Sequence, residues 1–207
     1  MKGKTLILVI SIQCFVHVIS MVNTMKCQSK KPLNNHGVSP ITFIDKERNP
    51  SAGTLLAVIP RMSTEWSVEF DIKLTKDPIY HSVHSLIHFT ATGNEFGAVG
   101  DVCPAVYLVL GEIFFVTTVN NIPSTDFGFN IGLHYYTNFK IQQRYLSNGK
   151  YSYSVSANGT IIHSLINHNA TQFYNVMVYA NYPRFNVHLN TPVDFAFVKD
   201  LKFTNFL

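Results

Sequence analysis

FKIQQRYLSNGKYSYSVSANGTIIHSLIN, Phe139–Asn167, reads as three strands joined by two Asn-Gly turns, Asn148-Gly149 and Asn158-Gly159. Both central residues of the favoured two-residue hairpin turn need positive φ, which Asn and Gly adopt at little cost, so Asn-Gly between alternating apolar residues is a strong hairpin signal. An antiparallel meander is therefore written into local chemistry, and it sets the class as all-β. Working outward, short β-rich runs recur at the spacing of about ten residues typical of a sandwich. They predict strands at Ile41–Ile44, Thr54–Ile59, Trp66–Leu74, Ser85–Thr90, Ala105–Leu110, Ile113–Val119, His134–Arg144, Tyr151–Ala157, Thr160–Leu165, Tyr174–Tyr179 and Phe195–Phe203. No window sustains a 3.6-residue apolar period beyond a turn or two, so helix is expected to be a minor ingredient.

The run WSVEFDIKL, Trp66–Leu74, shows which face is which. Trp66, Val68, Phe70 and Ile72 alternate with Ser67, Glu69, Asp71 and Lys73, and Glu65 continues the polar side. This period of two describes a strand with one face in the core and one in solvent. Tyr174, Val176 and Val178 repeat the device later in the chain. An aromatic content of 13% suits the core of an antiparallel two-sheet β-sandwich.

The amino terminus carries a different signal. Met1-Lys2-Gly3-Lys4 precedes an apolar run from Leu6 to Ile19, the pattern of a secretory signal peptide over residues 1–20. Val18 and Ser20 are small enough to flank a cut after Ser20, with Val22 and Thr24 as a second choice. A membrane anchor is the rival reading, but the run is short against a hydrocarbon core of roughly 30 Å and contains Gln13 and His17. Residues 21–40 are polar and lysine-bearing and read as a flexible arm, leaving 41–207 as one domain. The formal charge of +4 falls further when Lys2 and Lys4 are removed, too weak a field to suggest nucleic acid as a partner. Cys14 leaves with the signal, so Cys27 and Cys103 remain, and in an oxidising compartment two cysteines suggest one disulfide. The alternative leaves Cys27 free or paired with another chain. Asn158-Gly-Thr160 and Asn169-Ala-Thr171 are N-glycosylation triplets, whereas Asn49-Pro-Ser51 is blocked by its proline.

Taken together, WSVEFDIKL, GDVCPAVYLVLG, NGKYSYSVSANGT and the closing VMVYANYPRF…VKDLKF resemble the concanavalin A-like lectin/glucanase superfamily, the jelly-roll class that includes laminin G-like modules. The resemblance runs from about Glu65 to the carboxyl terminus. It implies a jelly-roll sandwich and leaves function open, because this architecture hosts enzymes, lectins, protein-binding modules and spacers. The superfamily's glucanases carry Glu-x-Asp-x-x-Glu or Glu-x-Asp-x-Glu on a strand. Glu69-Phe-Asp71-Ile-Lys73 matches the first two acids but puts lysine at the third. Retaining hydrolysis needs two carboxyl groups about 5–5.5 Å apart, one of which protonates the leaving oxygen, so no catalytic residue is assigned and the chain reads as a non-enzyme.

Other constellations are weaker. His81, His84 and His88 invite a metal, yet on a strand His84 and His88 stand about 13 Å apart and the chelating i, i+2 spacing is missing. No metal ligand is therefore assigned, and the histidines read as polar strand residues that gain charge in acid. Calcium is the one cofactor the resemblance brings in, through loop acids such as Asp77, Asp101, Asp126 and Asp194, none of them close together in sequence. A sugar site needs exposed rings with hydrogen-bonding neighbours. The loop Tyr182, Arg184, Phe185 and Asn186 has that composition, and so has the stretch Asn120–Phe127. In the bland alternative Tyr182 and Phe185 cap the sandwich end. The expected function is a secreted, non-enzymatic module that binds a glycan or an extracellular protein through end loops. A self-assembling matrix or secretion component is the alternative, and a degenerate hydrolase comes third.

Overall fold

A computed structural model describes residues 40–51, 53–76, 83–183 and 194–206. The expected signal peptide and, apart from Pro40, the expected arm lie outside the described residues. The described residues form twelve strands: β1 (Ile41–Ile44), β2 (Thr54–Met62), β3 (Trp66–Leu74), β4 (Val83–Thr90), β5 (Ala105–Val109), β6 (Glu112–Val119), β7 (Ile122–Asn130), β8 (Thr137–Ser147), β9 (Lys150–Ala157), β10 (Thr160–Asn167), β11 (Phe173–Ala180) and β12 (Ala196–Asn205). They form two six-stranded antiparallel sheets, ordered β1-β12-β3-β8-β9-β10 and β2-β11-β4-β5-β6-β7. The all-β sandwich expected from the sequence is the observed fold, and the described residues contain no helix.

The Asn-Gly meander is β8-β9-β10. Asn148 and Gly149 have φ of 51° and 72°, and Asn158 and Gly159 have 48° and 81°, the left-handed values such turns require. Strand β8 starts later than expected because His134 has a φ of 70° and donates its N–H to Leu74 from a loop.

Strand β7 was not expected at all. Its sequence, IPSTDFGFN, is dense in turn-forming residues, and this hid the alternation of Phe127 and Phe129 with Asp126, Gly128 and Asn130. The turn before it, Asn120-Asn121, has φ of 54° and 61° at its two residues and closes the β6–β7 hairpin much as Asn-Gly does elsewhere. The stretch Asn120–Phe127 is thus a hairpin turn and an edge strand, not an aromatic loop.

The core lies between the sheets. Phe139 on β8 lies 5.9 Å from Phe70 on β3 and 5.0 Å from Phe115 on β6, centroid to centroid, so one ring ties the two layers together. Phe43, Phe89 and Phe203 make a second such contact between β1, β4 and β12. Tilted and edge-on ring pairs of this kind add about 0.5–1.5 kcal/mol each beyond the area they bury. Trp66, Val68, Phe70 and Ile72 all point into this core, as their alternation requires.

The other face of β3 is less open than expected. Glu65 and Ser67 are buried and Glu69, Asp71 and Lys73 are half-buried, because β8 and β12 on either side lay long side chains over them. Arg144 pairs with Glu65 at 3.0 Å, Lys199 with Asp71 at 3.5 Å and Lys73 with Glu47 at 2.8 Å.

Phe70 is fully buried, so Phe70→Ala is expected to cost about 3–5 kcal/mol. Ile161→Ala, on the exposed side of β10, is expected to stay within about 0.5 kcal/mol. Urea unfolding midpoints for the two variants check the assignment of inner and outer faces.

Candidate functional site

Strand β5, AVYLV, is apolar on both faces. Val106 and Leu108 enter the core between the sheets, whereas Ala105 and Tyr107 join Val102 and Val116 in a separate cluster on the outer face. Strand β6 repeats the split, with Ile113 and Phe115 inward and Phe114 and Val116 outward. The register places Phe114 beside Tyr107, and Val116 between Ala105 and Asp126. Gly128 stands across from Phe114, where a Cβ would come within 3.1 Å of the Phe114 ring and 2.8 Å of a Glu112 oxygen. Glycine there lets the ring lie against the strand.

A groove of about 230 Å³ results, open to solvent and floored by Tyr107, Phe114 and Val116. Val83 and Val109 line one side, Phe96 another, and Ser124 and Asp126 supply its polar edge. Phe96 arrives from the loop 91–101, which Asp101 organises. The Asp101 carboxylate accepts the Thr92 hydroxyl at 2.5 Å and the Ala98 N–H at 2.7 Å. So held, the loop sets the Phe96 ring 5.6 Å from Tyr107.

Behind Tyr107 stands His88. Its Nε2 lies 3.0 Å from the Asp101 carbonyl, which can only accept, so Nε2 carries the proton and Nδ1 accepts from the Tyr107 hydroxyl at 2.9 Å. Burial pushes the His88 imidazole down to about 4, despite the backbone contacts and the Asp101 charge that favour protonation. Burial likewise pushes the Tyr107 phenol well above its ordinary value, and nearby Glu95 adds to the effect. The pair is a neutral hydrogen-bonded prop that fixes the Tyr107 ring beneath the groove.

The sequence-expected residues fall elsewhere. Tyr182 is 2% exposed, stacks on His88 at 4.4 Å and donates its hydroxyl to the Gly93 carbonyl at 2.5 Å. It is no exposed sugar platform; it is a cover over the outer face of the sheet, close to the capping alternative. Arg184, Phe185 and Asn186 lie outside the described residues, as do His81 and Asp77. His84 packs edge-on against Phe195, away from the His88 cluster, because a bulge follows Ser85. His84 and His88 are both buried, and burial lowers both imidazoles, so the gain of charge in acid expected of them is moved to lower pH. Asp101 is buried and serves its loop, Asp194 pairs with Lys76 at 3.2 Å, and no cluster able to hold a metal occurs among the described residues. Cys103 is a free, buried thiol raised to about 12 by burial, so the expected bridge to Cys27 is not formed here; Cys27 lies outside the described residues. Asn158 and Asn169 are both exposed, Asn158 at the tip of the β9–β10 hairpin. Around the glucanase-like stretch, Asp71 accepts from Asn138 at 2.8 Å and Glu69 sits between Lys140 and Lys202.

The groove residues Phe96, Tyr107 and Phe114 were not singled out from the sequence. Their one sequence signal is the apolar character of both faces of β5 and β6, which marks an outer face needing a cover or a partner.

No protein-family model matches the chain, and no curated protein matches it in sequence. Solved structures do resemble it. The receptor-binding domain of botulinum neurotoxin type G superposes with a TM-score of 0.52 at 13% identity, over 84% of this chain and 43% of that one. The receptor-binding domain of botulinum neurotoxin D does so with 0.52 at 15% identity, over 87% and 48%. An endo-β-1,4-glucuronan lyase from the fungus Trichoderma reesei gives 0.50 at 10% identity, over 87% and 92%. This chain therefore spans less than half the length of the neurotoxin domains. These are all-β, jelly-roll-like domains, compatible with a concanavalin A-like sandwich, and at such identities the likeness is one of fold.

His88 also sets an expectation for pH. Between its ordinary value near 6.5 and about 4, the unfolded chain binds a proton at this site that the folded chain does not. Stability therefore falls as pH drops through that window and levels off below it, by an amount approaching about 3 kcal/mol. His84 and His163, also lowered by burial, act with the same sign. Urea unfolding at pH 7 and pH 4.5 measures the slope, which is expected to shrink in His88→Gln.

Proposed function

We propose that this chain is a secreted, non-enzymatic binding module that recognises a glycan or an extracellular protein, and that the groove over β5–β7 is where the ligand rests. The observation that carries this reading is the groove itself. Apolar side chains held rigidly on strands are left open to solvent, with an aromatic floor and a polar edge, which is the make-up of a ligand site. The support from folds is coarser: receptor-binding domains stand among the similar structures, and so does a lyase. The glucanase-like stretch supports the non-enzymatic part, because Lys73 stands in the place of the third acid and its ammonium is taken up by Glu47. Secretion, through removal of residues 1–20 and glycans on Asn158 and Asn169, belongs to the same proposal.

A second reading has its own observation. All four edge strands carry exposed large apolar residues: Ile41 on β1, Leu55 and Val58 on β2, Ile122 on β7, and Ile161 and Ile166 on β10. Strand edges left this way favour pairing with another chain, as a self-assembling component would use.

Two experiments separate the readings. A glycan array and a screen of immobilised extracellular proteins are expected to give specific binding that falls at least about tenfold in Phe114→Ala at an unchanged melting temperature. Binding indifferent to Phe114 would remove the groove from the proposal. For the second reading, sedimentation velocity over a range of concentrations is expected to show association that Ile161→Lys abolishes. A monomer at every concentration ends that alternative.

A further inference from the structure

One end of the space between the sheets is polar where the rest of the core is apolar. Four side chains meet there: Trp66 on β3, Gln143 on β8, Asn167 at the end of β10 and Thr117 on β6. All four are buried, and the register sets Trp66 directly beside Gln143. Together they line an enclosed slot, and the exposed Asn169 and Thr171 mark its open side.

Two groups are left over once the hydrogen bonds of this end are assigned. Asn167 donates to Gln143 at 2.8 Å, and Gln143 donates to the Thr64 carbonyl at 2.8 Å. The indole N–H of Trp66 and the hydroxyl of Thr117 have no partner among the described residues, although Trp66 is only 4% exposed and Thr117 only 2%. Neither atom is sealed off, in contrast to the Thr125 hydroxyl across the ladder on β7, so both open onto the slot. A buried indole N–H usually finds an acceptor, and a polar group left unmet inside a fold costs more than a typical hydrogen bond gains. The slot measures about 10 Å³, close to the least volume that holds one water molecule.

We propose that this slot is the seat of one ordered water molecule that joins the two sheets. The water accepts the Trp66 indole N–H from the first sheet and donates to the Thr117 hydroxyl of the second. Its other proton faces Gln143, whose Oε1 accepts one bond from Asn167 and has a second lone pair. Three partners is the usual number for a buried water. The chemistry of the slot selects this occupant. An indole N–H turns a cation away, and no lysine or arginine lines the slot to hold an anion. A larger molecule exceeds the volume. So placed, the water ties β3 and β8 to β6 at the end where the β6–β7 turn begins. The one rival partner for Thr117 is the Thr125 hydroxyl, its neighbour across the ladder.

Trp66 is the single tryptophan of the chain, so its signals report on the slot alone. In an NMR spectrum of the full chain, the indole proton is expected to show a nuclear Overhauser contact to a long-lived water. Thr117→Val keeps the shape of the side chain and removes the hydroxyl. It should abolish that contact and move the Trp66 fluorescence to shorter wavelength. Thr117→Ser keeps the hydroxyl and should preserve both signals. Thr125→Val removes the rival partner and should leave the contact in place. An indole proton without a water contact in the unaltered chain overturns the proposal. So does a contact that survives in Thr117→Val, or one that depends on Thr125 instead. Should Thr117→Val fail to fold, a crystal structure of the unaltered chain decides: density for a water within hydrogen-bond reach of both Trp66 Nε1 and Thr117 Oγ1 supports the proposal, and a dry slot ends it.

Discussion

A sheet in a two-layer sandwich can bury only one of its faces against the other sheet, and β5 and β6 are apolar on both. That constraint organises the outer side of the second sheet. Tyr107, Val102 and Ala105 are covered by the chain itself, through the loop that Asp101 holds and through Tyr182 stacked on His88. The cover ends at Phe96. Beyond it Phe114, Val109 and Val83 line the groove, the part of this apolar face that the described residues leave open. The energetic stake is modest: at about 25 cal/mol per Å² of apolar surface removed from water, a few open side chains forfeit a few kcal/mol. That is a sizeable fraction of the 5–15 kcal/mol by which domains are stable, so an open apolar groove on rigid strands marks a place where binding recovers what folding does not.

The ends of the sandwich are held by polar networks of a different character. Asn167, at the end of β10, is buried. It donates to Gln143 at 2.8 Å and accepts from the N–H groups of Asn120 and Asn169, both at 3.0 Å. Gln143 in turn donates to the Thr64 carbonyl at 2.8 Å. One side-chain amide thus ties the β6–β7 turn of the second sheet to β8 and β10 of the first. Each bond contributes on the order of 1 kcal/mol net, and leaving any member unpaired in that setting costs more than the bond itself gains. The network fixes where β7 begins, and β7 carries Asp126 to the groove edge.

How much of this was legible in the sequence depended on whether a signal was local. The Asn-Gly turns and the WSVEFDIKL alternation are properties of a few adjacent residues, and β3, β9 and β10 stand within two residues of where the sequence put them, Trp66–Leu74 to the residue. Strand β7 failed for the same reason in reverse, since Pro123, Ser124, Asp126 and Gly128 are each turn-formers locally and only pairing with β6 makes them a strand. The aromatic loop around Tyr182 misled because composition does not say whether a ring faces water. Tyr182 is inside because His88, almost a hundred residues earlier, offers it a face, and no spacing rule reaches that far. The groove is the extreme case. Phe96, Phe114 and Asp126 come from three segments, and only the sheet register brings them together.

His88 shows how the same reasoning separates a supporting group from a reacting one. A buried histidine against a tyrosine hydroxyl and near an aspartate has the ingredients of acid–base chemistry. Here Asp101 presents its backbone carbonyl to the ring while its carboxylate is engaged by Thr92 and Ala98. The imidazole, lowered by burial, is neutral and stays so down to about pH 4. Its hydrogen-bonding nitrogens are both occupied by groups of the fold, and its ring face is covered by Tyr182. A base with no open lone pair and no solvent contact cannot take a proton from a ligand in the groove, so the cluster acts through geometry. By pinning the hydroxyl of Tyr107 at one end, it leaves the ring's position fixed by bonds that do not change when a ligand arrives. The cost of ordering the groove floor is then met during folding and not at the moment of binding.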